Sequence, residues 1–235
     1  WFTEIKLSQF YGIELDDFAH EMAILSLWLA EHQMNKIFVD ELHDYGRAKP
    51  ILPLKEAGHI TRGNATRLDW KIACPIDLAD EVYILGNPPY IGSRKQKNEQ
   101  KEDLKIVFSS LKKYKDLDYI SIWFYKSAEY IRSLNAKCAF VSTNSICQGE
   151  QVSILWKPLT EKYKIFINFA YRTFRWDSEA SSKAHVHCII VGFSTINQKE
   201  KYLFDNTKIK KCDNINAYLM DAPDIFIESH SRPIC

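Results

Sequence analysis

The chain has 235 residues, of which 46% are hydrophobic and 26% are charged, and its formal net charge is +1. This length suits one large α/β domain or most of one, and the composition is typical of a globular protein. A net charge near zero excludes a basic surface over the whole chain, so any contact with nucleic acid has to be local.

Cysteine spacing and hydropathy exclude further classes of protein. The six cysteines include no CxxC pair, which argues against a disulfide framework and a zinc site. His185 and His187 would share one face of a strand, but no third ligand accompanies them. No signal peptide and no bilayer-spanning apolar run occur in these residues. We therefore expect a cytoplasmic protein with no metal and no membrane partner.

Strand and helix patterns alternate from the beginning of the chain. Residues 10–14 are predicted to be a short strand ending in the acidic Glu14. Asp16 or Asp17 is placed to cap the helix that follows, which is apolar over much of its surface. Prolines and a glycine indicate a loop or insertion over residues 34–59.

The strongest local signal is the run from Val82 to Tyr90. Its apolar, β-favouring residues predict a central strand buried on both faces. Two prolines then end the strand, because proline has no backbone N–H to donate. Open α/β sheets bind ligands at the carboxyl ends of such strands. Asn87, Pro88, Pro89 and Tyr90 are therefore a candidate active site, offering a side-chain amide, a free carbonyl and an aromatic ring.

The second half of the chain continues the alternation. Helices are predicted over 118–134 and 151–162, and strands over 137–143, 165–174 and 186–193. The last two strands are expected to pair, and the residues after 195 to form an edge strand and a linker. The predicted fold is α/β, with a mostly parallel sheet and an antiparallel pair at one edge.

Three predicted strand ends carry polar groups in a consistent order. Glu14 can accept hydrogen bonds from a ribose diol. Asn64 and Ala65 can offer an amide oxygen and a backbone N–H to the edge of an adenine. The Asn87 side chain and the Pro88 carbonyl can accept both hydrogens of a substrate amino group.

These motifs resemble the NPPY-type DNA adenine-N6 methyltransferases of restriction–modification systems. The resemblance covers most of residues 1–195 and rests on the segments Phe10–Glu14, Gly63–Ala65, Val82–Gly92, Val141–Ser145 and Phe174–Trp176. It implies a class I, Rossmann-like methyltransferase fold, with 1–195 as a partial catalytic domain. The first strand and its glycine-rich loop are then expected upstream of residue 1, and residues 196–235 lead towards an absent target-recognition domain.

The resemblance also implies a reaction and its residues. A methyl group would pass from S-adenosylmethionine to the N6 amino group of an adenine flipped out of double-stranded DNA. Asn87 and Pro88 would hold that amino group and Tyr90 would stack on the base, with Phe174 on the other side and Trp176 as a weaker alternative. The implied cofactor contacts are Glu14, Leu15, Asn64, Ala65 and Asn87.

Other interpretations remain open from the sequence. NPPY families also methylate glutamine in proteins and guanine in RNA, and a non-catalytic DNA-binding subunit is a third possibility. Glu14, Asn64 and Phe174 each have an ordinary structural interpretation, as a helix-start acid, a turn residue and a packing residue. The basic stretch Arg94–Lys105 is either a solvated face or a contact for phosphates.

Overall fold

The computed structural model describes residues 5–41, 58–176 and 186–228. The chain divides into two compact units, Trp1–Ile76 and Asp77–Cys235. The strands are β1 (Tyr11–Glu14), β2 (His59–Arg62), β3 (Glu81–Gly86), β4 (Asn135–Thr143), β5 (Phe166–Trp176), β6 (Val186–Ser194), β7 (Lys201–Asp205) and β8 (Lys208–Cys212). The α-helices are α1 (Asp17–Glu41), α2 (Trp70–Ala73), α3 (Asn98–Phe108), α4 (Ser121–Tyr130), α5 (Gly149–Gln151) and α6 (Lys157–Tyr163). No helix in these ranges is both long and apolar enough to cross a membrane.

The first unit pairs β1 with β2 in parallel, so that the carboxyl ends of both strands lie at one edge. The Oδ1 of Asp16 accepts a hydrogen bond from the Ala19 N–H at 2.9 Å, which confirms one of the two predicted helix caps. α1 continues to Glu41, so the predicted break near residue 34 was wrong. The reason is that residues 34–41 contain neither glycine nor proline to end a helix.

The second unit contains a six-stranded sheet in the order β3-β4-β6-β5-β7-β8. Two of its pairs, β3–β4 and β5–β7, are parallel. β6 runs antiparallel to β4 and to β5, which confirms the predicted strand pair, and β8 returns antiparallel beside β7. The predicted α/β class with antiparallel strands towards one edge is confirmed.

β3 precedes the candidate active site and was predicted as a central strand buried on both faces, whereas among the described residues it is buried on one face only. In its sheet it lies at the edge, paired with β4 alone. Tyr83 and Leu85 are 60% and 77% exposed, whereas Val82 and Ile84 are half-buried. An unbroken apolar run therefore does not distinguish burial on two faces from burial on one.

An aromatic cluster forms the core on one face of the six-stranded sheet. Phe140 of β4 and Phe193 of β6 lie on this face, and both contact Phe124 of α4. Trp156 packs edge-on against Phe124 and Phe193 and donates its indole N–H to the Ile146 carbonyl at 2.9 Å. The buried indole is thus satisfied, as large buried aromatic residues require.

The helix predicted over 151–162 is present but irregular. α5 passes into a π-helical turn, Val152–Trp156, before α6 begins at Lys157. Pro158 lies in the first turn of α6 and has no N–H for the helical ladder. A widened turn immediately before the proline accommodates this missing hydrogen bond.

Candidate functional site

The loop after β3 holds the Asn-Pro-Pro-Tyr motif in an open conformation. Asn87 is exposed and Pro88 is buried, so the proline anchors the loop while the amide faces solvent. Within the described ranges, the Asn87 side chain makes no hydrogen bond to protein. Its amide oxygen is therefore available to accept a hydrogen bond from a substrate.

Tyr90 lies against a residue that the sequence did not single out as functional. Its hydroxyl lies beside the Cys188 thiol of β6. Burial raises the pKa of the Tyr90 hydroxyl and that of the Cys188 thiol, so both groups stay protonated at neutral pH.

Phe174 lies directly opposite Cys188 in the antiparallel β5–β6 pair. Directly opposite residues point to the same face of a sheet, so Phe174 and Cys188 share the face on which the Tyr90 hydroxyl lies. A register shift between Tyr171 and Phe174 marks a bulge immediately before it, and bulges redirect side chains. The structure thus brings Phe174 and Tyr90 to one sheet face, whereas the side chain of Trp176 lies outside the described residues.

In the first unit, Glu14 ends β1 with one oxygen already engaged. Its Oε1 accepts hydrogen bonds from the N–H groups of Leu15 and Asp16 at 2.8 and 3.1 Å. Among the described residues, its Oε2 accepts none. The local amides therefore orient the carboxylate and leave one oxygen for a ligand hydroxyl, while the Leu15 side chain beside it is 67% exposed.

Asn64 follows β2 and has a structural role that the sequence left open. Its Oδ1 accepts hydrogen bonds from the N–H and the hydroxyl of Thr66, at 2.9 and 2.7 Å. Gly63 before it donates its N–H to the Glu14 carbonyl at 2.8 Å, which ties the two strand ends together. The turn-residue interpretation accounts for these contacts, and the contact of the amide oxygen with a ligand stays a prediction.

Ala65 is held in place by the helix that follows. The indole N–H of Trp70 in α2 donates to the Ala65 carbonyl at 2.9 Å. Asp69 caps the same helix by accepting from the Lys71 N–H at 2.9 Å. These two hydrogen bonds hold the backbone at Ala65 in place, and its contact with a ligand stays a prediction.

A cavity of about 290 Å³ opens at the carboxyl end of β4, lined in part by Asn144, Thr173, Ile189 and Met220. Ile189 and Cys188 are consecutive in β6, so their side chains point to opposite faces of the sheet. The cavity therefore lies on the face opposite to Tyr90.

The basic stretch Arg94–Lys105 is exposed at all five of its cationic residues. Lys105 lies 3.6 Å from Glu102 in an ion pair within α3. This exposure fits a solvated face and fits a phosphate contact equally well.

Metal ligands were not expected from the sequence. Among the described residues, no group of three His, Cys, Asp or Glu side chains is arranged to hold a metal ion. His187 is exposed on β6, and His185 of the same pair falls outside the described residues.

Three comparisons with known proteins agree with these motifs. The family model "MmeI, DNA-methyltransferase domain" matches residues 2–205. The chain is 51% identical to "DNA methyltransferase A" of Bacillus subtilis (strain 168) over 231 residues, which is 98% of this chain and 26% of that protein. It also matches the structure of the Type IIL restriction-modification enzyme MmeI in complex with DNA, with a TM-score of 0.89 and 43% identity, over 98% of this chain and 31% of that one.

The chain thus spans about a quarter to a third of the length of these relatives. The family match extends over most of its residues, and it includes all the segments on which the sequence resemblance rests. The chain belongs to the family of MmeI-type DNA-methyltransferase domains of restriction–modification enzymes.

Proposed function

We propose that the enzyme containing this domain transfers a methyl group from S-adenosylmethionine to the N6 amino group of an adenine flipped out of double-stranded DNA. The observation that carries the proposal is the arrangement in the second unit. Asn87 presents an amide that makes no hydrogen bond to any described residue. Three residues later, Tyr90 lies beside Cys188, and Cys188 is directly opposite Phe174 in the sheet.

The chemistry of the amino group explains why two acceptors are needed. The lone pair of an exocyclic amine is delocalised into the purine ring, so the nitrogen is a weak nucleophile. The Asn87 side-chain oxygen and the Pro88 carbonyl accept one N–H each and favour a pyramidal nitrogen with its lone pair free. This is catalysis by positioning and electrostatic complementarity, and the extra proton on the methylated nitrogen passes to solvent water after the transfer.

Access to the amino group requires the base to leave the helix, at a cost of roughly a few kcal/mol. Tyr90 stacks on one face of the extruded base, a contact worth about 1–3 kcal/mol in single-strand binders. Phe174 provides a second apolar wall on the same sheet face. The two rings together offset much of the cost of extrusion.

The residues of the first unit fit the nucleoside part of the cofactor. Glu14 has one oriented carboxylate oxygen for a ribose diol, and Leu15 offers an exposed apolar side chain to the adenine ring. The backbone at Ala65, held by Trp70, supplies a rigid edge contact, with Asn64 beside it. When bound, S-adenosylmethionine supplies an electrophilic methyl group.

We further propose that the cradle for the methionine part of the cofactor, like the target-recognition domain, belongs to the parent chain outside residues 1–235. Residues 1–195 are then part of the catalytic domain, and 196–235 lead towards the recognition domain. The relatives, of which this chain covers 26% and 31%, have room for both. Calorimetry of residues 1–235 with S-adenosylmethionine should accordingly give weak binding or none, and micromolar binding would contradict this proposal.

The decisive experiment measures methyl transfer by the full-length parent enzyme. Tritiated S-adenosylmethionine and DNA free of adenine methylation are the substrates, and nucleosides are identified by mass spectrometry. We expect N6-methyl-2′-deoxyadenosine as the product, and its loss in Asn87→Ala. Methyl transfer to protein or RNA in a parallel assay but not to DNA, or full activity in Asn87→Ala, would contradict the proposal.

A further inference from the structure

Asp118 is a buried acid that joins two loops of the second unit. It is 7% exposed and lies just before α4. Its Oδ1 accepts a hydrogen bond from the Ser93 N–H at 3.1 Å, three residues after Tyr90. Its Oδ2 accepts one from the Ser145 hydroxyl, in the loop that follows β4.

The neighbours of Asp118 strengthen both connections. The Tyr119 N–H donates to the Ile91 carbonyl at 2.9 Å, so the backbone before α4 is bonded to the residue after Tyr90. Buried Gln96 donates to the carbonyls of Ile91 and Leu117, at 3.3 and 3.0 Å. The segment that follows the Asn-Pro-Pro-Tyr motif is therefore fixed by side-chain and backbone hydrogen bonds together.

The loop after β4 is also held by hydrogen bonds, to Asp118 and to β5. The Asp118 N–H donates to the Gln151 Oε1 at 3.0 Å. Asn144 donates through its amide to the Thr173 hydroxyl at 2.7 Å, immediately before Phe174. Hydrogen bonds thus connect Ser93 to Asp118 and Asp118 to Ser145. The neighbouring Asn144 is bonded in turn to β5, one residue before Phe174.

A simple helix-capping role does not account for the Asp118 carboxylate. A capping side chain accepts from backbone N–H groups of its own first turn. Here the Ser121 N–H bonds to the Asp118 backbone carbonyl at 3.0 Å, and both carboxylate oxygens accept from other loops. A buried carboxylate is costly unless it is hydrogen-bonded, so its two partners are what hold it in place.

We propose that Asp118 is a positioning residue for the reaction: it holds the Asn87–Tyr90 loop at a fixed distance from the loop after β4, without touching the substrate. This inference rests on the proposed function. The Asn87 oxygen and the Pro88 carbonyl must meet two N–H groups of one nitrogen, and such geometry tolerates little displacement. A misplacement of about 1 Å commonly costs about 100-fold in rate.

The test compares Asp118→Ala, Asp118→Asn and wild type in the full-length parent enzyme. We expect kcat to fall about 100-fold in the alanine variant, with the KM values for DNA and cofactor nearly unchanged, because the contact matters for geometry and not for binding. Asparagine keeps an acceptor for Ser93 and can donate to Ser145, so its kcat should return to within about fivefold of wild type. An unchanged kcat in Asp118→Ala, a rise in KM alone, or an asparagine variant as poor as alanine would overturn the inference.

Matched variants separate positioning from a general loss of stability. Asp116→Ala removes an exposed acid two residues away and should leave kcat at the wild-type level. Ser145→Ala cuts one of the two links and should lower kcat, whereas Ser127→Ala, which removes a buried hydroxyl bonded within α4, should not. If Asp118→Ala fails to fold, the serine pair still decides the question.

Hydrogen exchange provides a measurement that does not depend on activity. In Asp118→Ala the Ser93 amide loses its acceptor, so its exchange should accelerate while β4 and β6 keep their protection. Unchanged exchange at Ser93 would contradict the inference. If wild-type enzyme yields no N6-methyl-2′-deoxyadenosine, the proposed function fails while the exchange result stands. If wild type is active and Asp118→Ala equals it, only the inference fails.

Discussion

Phe174 of β5 lies directly opposite Cys188 of β6, and the Cys188 thiol lies beside the hydroxyl of Tyr90, a residue ninety-eight positions earlier in the sequence. The end of the Asn-Pro-Pro-Tyr motif and the residue proposed as the second ring are therefore both close to Cys188. Because Phe174 and Cys188 belong to paired strands, this side of the candidate site is formed by a sheet and not by a flexible loop.

The Tyr90 ring is expected to matter more than its hydroxyl. Tyr90→Ala removes a stacking contact worth about 1–3 kcal/mol, which predicts a loss of about 5- to 150-fold in kcat/KM of the full-length enzyme. Tyr90→Phe keeps the ring and loses only the hydroxyl beside Cys188, so the loss should stay below about fivefold. Steady-state methylation of DNA, with 2-aminopurine fluorescence as a report of base extrusion, measures both effects.

Tyr83→Ala is the matched control for Tyr90. Tyr83 is 60% exposed on β3, and its hydroxyl bonds to Glu81 of the same strand at 2.6 Å. Its removal should leave kcat/KM within about twofold of wild type, since exposed substitutions usually change little. A Tyr90→Ala enzyme as active as Tyr83→Ala would refute the stacking role.

Cysteine reactivity should follow burial. Cys138, Cys147, Cys188 and Cys212 are buried, and burial raises the pKa of each thiol, whereas Cys74 is half-buried. The thiolate is the reactive form, so of these five residues Cys74 should be alkylated first in the native protein. Peptide mapping after brief treatment with iodoacetamide at pH 7.5 reads out the order. Faster labelling of Cys188 than of Cys74 would show that the site opens around Tyr90.

The first unit should lose folding stability as the pH rises, because His20 is deprotonated. Its Nε2 lies 3.0 Å from the Ile60 carbonyl and its Nδ1 lies 3.0 Å from Glu21, and these two hydrogen bonds, the carbonyl first, raise its pKa. Because the pKa of His20 is higher in the folded than in the unfolded state, its protonation stabilises the fold. This stabilisation is fully present below the unfolded-state pKa near 6.5, and it is lost as the pH rises through the folded-state pKa. Protection of the β2 amides should therefore decrease from about pH 6 to pH 8.

Nuclear magnetic resonance can follow the His20 ring protons directly. The titration midpoint should lie above 6.5 in wild type, and Glu21→Gln should lower it because one of the two causes is removed. His20→Gln, which can still donate to the Ile60 carbonyl, should flatten the pH dependence of β2 protection. A midpoint at or below 6.5 in wild type would contradict the assignment.

Local chemistry explains why much of the framework was predictable. The prolines after Asn87 end β3 wherever the strand lies in the sheet, and the carboxylate of Asp16 caps α1 from its own first turn. The strands of the β5–β6 pair are apolar enough to be recognised without knowledge of their partners. These features depend on residues within a few positions of one another.

The remaining features depend on contacts between distant residues. Whether β3 is central or at an edge depends on which strands pair with it, and its apolar residues do not identify those strands. Cys188 is one small residue in an apolar strand. Its position beside the Tyr90 hydroxyl is set by the fold and cannot be read from the residues around it. Asp118 resembled the beginning of a helix, because its partners Ser93 and Ser145 lie 25 and 27 positions away.

Gly192 and Phe169 provide a last test of the sheet that supports the site. The two residues are directly opposite in the β5–β6 pair, and a Cβ added to Gly192 would lie 2.0 Å from the Phe169 ring. Gly192→Ala should therefore destabilise the protein by about 1–3 kcal/mol, as overpacking of well-packed positions does. Phe169→Leu in the same background should restore part of the loss by giving room to the new methyl group. Urea unfolding of both single variants and the double variant measures the coupling, and simple additivity of the two losses would disprove the contact.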